Sequence, residues 1–130
     1  MFPPFSMLIA ISIGSSCGAI LRWILNHNLN PLMSQFSLGS LAANLLGGYL
    51  IGIMMVLSEQ IELSPEIKLG IVTGFLGALT TFSAFSAEAT TILARNEMLS
   101  LSILILSHVL GSLLMTGFGM YTARILRDFF

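Results

Sequence analysis

The chain has 130 residues, 55% of them hydrophobic and only 8% charged, with a mean hydropathy of +0.94. Soluble domains carry about a quarter charged residues, so the composition excludes an ordinary wetted surface and points to an integral membrane protein. A net charge of −1 indicates no nucleic-acid partner.

Segment one spans about 7–25. Pro3 and Pro4 mark its entry, and no cleavable signal peptide is expected, because no basic region precedes the apolar run. Gly14 and Gly18 form a small-xxx-small pair that admits another helix backbone. The lone Cys17 cannot pair within the chain and reads as a packed thiol. Arg22-Trp23 reads as a snorkelling Arg beside an interfacial Trp, or as an Arg at the mouth of an anion path. Asn26 to Pro31 reads as a loop by its breakers, with His27 solvated in it.

Segment two spans about 38–57. Ser40, Asn44 and Gly48 fall on one helical face, and Gly48 and Gly52 make a second GxxxG. Asn44 is the one amide in any apolar segment. It either glues two helices or lines a polar path. Ser58 to Glu66 reads as a polar loop.

Segment three spans about 67–93 and contains an unusual stretch, Gly74-Phe75-Leu76-Gly77-Ala78-Leu79-Thr80-Thr81-Phe82-Ser83-Ala84-Phe85-Ser86. Glycine costs about 1 kcal/mol against alanine inside a helix, and serine and threonine hydroxyls compete for backbone partners. A break is expected at Gly77 to Thr80. Irregular backbone at membrane depth survives only where protein or a water-filled cavity covers it, so this stretch is the first candidate for the functional site. Glu88 follows it, an expensive acid in need of a partner.

Ala94 to Glu97 reads as a tight connection carrying Arg95. Segment four spans about 98–123 without a charge, and His108, Ser112 and Thr116 recur every four residues on one face. They read either as residues bonding within and between helices or as a polar track. The fold class expected is therefore all-α, with four transmembrane helices and the third broken mid-span.

Lys68, Arg124 and Arg127 lie on one side of this arrangement, and Arg22 and Arg95 on the other. Orientation normally follows a Lys/Arg asymmetry. Its near absence suggests insertion both ways, and two opposite copies would form an antiparallel homodimer. Close-packing glycines in three segments suggest the same, since they imply more helix contact than one four-helix unit needs.

A broken helix leaves backbone carbonyls without their i+4 donors, and unwound carbonyls suit a hard monovalent cation. Phe82 and Phe85, at i and i+3, are by default packing residues. Their positively polarised ring edges could alternatively face a dehydrated anion, helped by Asn44 and the hydroxyls of Ser83, Ser86, Ser112 and Thr116.

Three sets of residues carry a resemblance. They are Gly14, Gly18, Ala19, Arg22 and Trp23 in segment one, Gly39, Ser40, Asn44 and Gly47 in segment two, and the Gly74–Ser86 stretch with Glu88 after it. Over essentially its whole length the chain resembles the Fluc (also called CrcB) fluoride channels. The resemblance implies an antiparallel, dual-topology homodimer in the bacterial inner membrane that lets fluoride leave the cell passively through two pores. It implies a structural Na⁺ on the carbonyls of Gly77 and Thr80 from both subunits. It makes Phe82 and Phe85 the pore phenylalanines and Asn44 the pore amide, with Ser83, His108, Ser112 and Thr116 as further pore residues. Arg22 would lie near an aqueous vestibule and Glu88 near the pore mouth. Two positions depart from the family pattern. Ser40 stands where many members have Thr, and Leu104 where many have Tyr.

The rival class is a small proton-coupled multidrug exporter, also four-span and often dual-topology. That chemistry needs a membrane carboxylate early in the chain, and segment one has none. A non-transporting scaffold would not need the broken third segment. An enzyme is not expected, because no nucleophile–base pair is discernible.

Overall fold

The computed structural model describes residues 4–129. Five helices follow in order: α1 (Phe5–Leu29), α2 (Leu38–Gln60), α3 (65–79), α4 (Phe82–Ala94) and α5 (Met98–Phe129). Among the described residues there is no strand. Four stretches are long and apolar enough to cross a membrane: Phe5–Leu32, Leu38–Gln60, Pro65–Ala94 and Met98–Arg127. Helices α3 and α4 together form the third. The chain is a multi-pass membrane protein, and its outward apolar residues fit that setting. Leu99, Leu113 and Leu114 on α5 are largely exposed, as is Ile13 on α1.

Helix ends follow local chemistry. Ser64 caps α3 by accepting from the Ile67 N–H at 3.4 Å, with Pro65 in the first turn. Between α4 and α5, Asn96 takes a left-handed φ of 58°, the conformation that Asn tolerates best after Gly. Its N–H donates to the Leu93 carbonyl at 2.9 Å, and that of Glu97 to the Ile92 carbonyl at 3.3 Å. This is the Schellman arrangement that closes a helix in a short turn.

Two expectations need correction. Asn26 to Leu29 are helical, not looped, and a single 3₁₀ turn (Asn30–Leu32) follows. Tertiary contact overrides the weak propensity of the asparagines: Gly39 packs against the Asn26 backbone. His27 therefore sits on the last turn of α1, exposed and stacked on Trp23 with ring centroids 5.5 Å apart.

The second correction concerns the glycines. A Cβ at Gly14 would collide with the Gly70 carbonyl, and one at Gly18 with that of Phe75. A Cβ at Gly52 would meet the Thr116 carbonyl. The GxxxG pairs thus seat α1 on α3 and α2 on α5 within one chain, so they give no separate argument for an oligomer.

Residues Leu69–Leu76 of α3 form a π-helical run. Hydrophobic periodicity carries no signal for i→i+5 bonding, so nothing in the sequence announced it. Such runs often mark functional segments.

Candidate functional site

The site is built where the third span leaves helical geometry. Gly77 is still helical, contrary to expectation, and the interruption falls on the next residues but two. Thr80 (φ −77°, ψ 154°) and Thr81 (φ −147°, ψ 116°) are extended. Two adjacent β-branched residues favour that conformation. Thr81 then caps α4, its Oγ1 accepting from the Ala84 N–H at 3.1 Å.

Asn44 holds the extended pair from α2. The Thr81 N–H donates to Asn44 Oδ1 at 2.7 Å, and Asn44 Nδ2 donates to the Thr81 carbonyl at 3.0 Å. The amide pairs with Thr81 as a neighbouring strand would. Because a backbone N–H can only donate, this pairing settles which end of the amide is oxygen. Asn44 Nδ2 also lies 3.0 Å from His108 Nδ1 on α5. Both amide hydrogens are thereby engaged inside the chain. The amide was expected to face the anion; its donors instead face protein.

The same two bonds release two carbonyls. In a continuous helix the Thr81 N–H would serve the Gly77 carbonyl, and the Ala84 N–H that of Thr80. The first goes to Asn44 and the second to Thr81 Oγ1. Gly77 and Thr80 thus keep carbonyl oxygens whose helical donors are used elsewhere, a donor set suited to a hard cation.

A cleft of about 450 Å³ opens beside the break, lined among others by Asn44, Gly77, Thr80, Phe82, Phe85, His108 and Ser112. The Phe85 ring stands between two others, 5.4 Å from Phe82 and 5.0 Å from His108 by centroid. Phe82 is 78% exposed, whereas His108 is buried. Apolar lining with a few convergent polar groups is the usual character of a small-ligand site.

Other candidates lie apart. Ser83 shares a second cavity, of about 510 Å³, with Arg22, Trp23 and Asn26. Its Oγ is 3.2 Å from Thr81 Oγ1, so Thr81 separates the two cavities and lines both. Thr116 donates its hydroxyl to the Ser112 carbonyl at 2.9 Å, the bond within its own helix that competes with a track role. Glu88 meets the loop before α2: its Oε1 accepts from the Ser37 N–H at 2.7 Å. Ser40 joins that corner as well, its Oγ 2.9 Å from Ser37 Oγ. Sequence reasoning missed Thr81 and Ser37 as partners. Two buried side-chain atoms have no partner among the described residues, Glu88 Oε2 and His108 Nε2.

The family model of CrcB-like protein, Camphor Resistance (CrcB), matches residues 9–120. The chain belongs to the CrcB family. The match encloses the Asn44–Thr81 clamp, both phenylalanines and His108. Within the family, the chain is 49% identical to the fluoride-specific ion channel FluC of Desulfovibrio desulfuricans, over 95% of its own length and 96% of that protein's. It is 49% identical to the FluC of Tolumonas auensis, over 92% and 95% of the two lengths. The FluC of Burkholderia pseudomallei is 45% identical, over 92% and 94%.

Proposed function

We infer that this protein is a fluoride channel of the bacterial inner membrane, letting fluoride leave the cell passively and so lowering its toxicity. The observation that carries this is near end-to-end identity of 45–49% with relatives named fluoride-specific ion channels. The site chemistry agrees. A dehydrated anion finds ring edges at Phe82 and Phe85, and several weak contacts allow entry without trapping. The exporter reading finds no support, since Glu88 is the one acid within the apolar spans, and its Oε1 is engaged by a backbone N–H.

The working unit is an antiparallel homodimer with two pores, and the third span breaks at mid-membrane. Support comes from the cleft. Extended backbone and freed carbonyls cannot face lipid, because no water there satisfies them. A second copy seated over the cleft covers them. The Gly77 and Thr80 carbonyls of both copies would then hold one structural Na⁺. When bound, the ion supplies fixed positive charge that holds the two breaks together and eases the cost of an anion nearby.

Purified protein in liposomes should release fluoride down its gradient and pass chloride at least a hundredfold more slowly. Equal rates for the two anions would refute selectivity. Replacing sodium by a large organic cation should stop the flux, and indifference would reject the carbonyl site. Chains fixed in one orientation by an added basic tail should conduct only when the opposite orientation is co-expressed. Full activity from one orientation would end the antiparallel reading.

A further inference from the structure

The buried imidazole of His108 has one nitrogen engaged and one idle. Asn44 Nδ2, a donor, is 3.0 Å from Nδ1. Nδ1 must therefore accept, and a neutral ring then carries its proton on Nε2. That nitrogen is buried and has no partner among the described residues. A buried donor without an acceptor is costly and calls for an explanation. The ring lies 5.0 Å from Phe85 by centroid and lines the same cleft.

We propose that Asn44 acts on fluoride through His108: its amide locks the imidazole in the Nε2–H form, and that N–H is the hydrogen-bond donor the anion meets beside Phe85. The inference rests on the fluoride-channel reading. Ring edges attract a small anion only weakly, whereas a desolvated anion gains much more from a true N–H donor. Asn44 cannot be that donor, because Thr81 and His108 take both its hydrogens. It is a positioning residue, and His108 is the group that touches the ion.

Two measurements test this. The first is nitrogen NMR of ¹⁵N-histidine-labelled protein in bicelles, with the exposed His27 replaced (His27→Gln) so that one imidazole remains. Nε2 should carry the proton, and adding fluoride should move the Hε2 signal downfield. A proton on Nδ1 overturns the proposal. So does an Hε2 signal that fluoride leaves unmoved, which would assign the N–H to a protein acceptor. The second is liposome efflux. His108→Gln keeps a donor near the Nε2 position and should retain at least a third of wild-type flux. His108→Asn keeps only the near position, so flux should fall at least tenfold. Equal flux in the two variants, high or low, overturns the donor role. A wild type that passes no fluoride overturns the channel reading and this inference with it. A conducting wild type with either contrary result overturns this inference alone.

Discussion

Replacing Asn44 by Ala should abolish fluoride efflux and lower the stability of the folded protein by roughly 2–4 kcal/mol. Three hydrogen bonds vanish together: those with the Thr81 N–H, the Thr81 carbonyl and His108 Nδ1. Removing one partner of a buried polar pair costs about 1–3 kcal/mol, because the other is left unsatisfied. Hydrogen bonds inside membranes average less, about 0.6 kcal/mol, since released groups find new partners. Thr81 has little such freedom. Its own Oγ1 already accepts from Ala84, so the local hydroxyl is occupied. The most accessible rescue is for the Thr81 N–H to return to the Gly77 carbonyl and continue the helix. That would withdraw one oxygen from the cation site and rotate the phenylalanines that follow. Efflux should therefore fail even in the fraction that stays folded, and thermal unfolding in detergent should separate the two losses. Wild-type flux and melting temperature in Asn44→Ala would show that the clamp is dispensable.

Phe82→Ile should cut fluoride flux about tenfold while the dimer persists. Contacts to an aromatic ring are worth about 0.5–1.5 kcal/mol, and 1.4 kcal/mol is a factor of ten in rate. This position separates function from folding better than Phe85 does. Phe82 is 78% exposed in the single chain, and its printed ring contact is Phe85 at 5.4 Å. Exposed substitutions usually alter stability by no more than about 0.5 kcal/mol, so lost flux could not be blamed on unfolding of the subunit. Phe85 is enclosed between Phe82 and His108, and its loss would also loosen the imidazole. Flux from Phe82→Ile equal to wild type would return this ring to simple packing, and gel filtration with cross-linking would report whether the dimer survived.

The apolar spans, their short connections and the unstable character of the Gly74–Ser86 stretch were all legible before any coordinates. Each depends on composition and spacing within one segment. The tight link at Ala94–Glu97 was legible for the same reason. The π-helical run Leu69–Leu76 was not, because its extra residue per turn leaves the apolar pattern unchanged. The end of α1 was misjudged because Asn26 is held helical by Gly39 packed against it, thirteen residues on.

Sequence alone thus determined a four-span membrane protein with a weak point in its third span, since hydropathy and backbone preference are properties of neighbouring residues. Tertiary structure decided what the weak point does. Thr81 lies 37 residues from Asn44, and His108 lies 64 from it. Their meeting depends on how α2, α4 and α5 are rotated against one another, which no periodicity encodes. That meeting sets the break at Thr80 and Thr81, frees the carbonyls of Gly77 and Thr80, and turns one nitrogen of His108 into an idle donor.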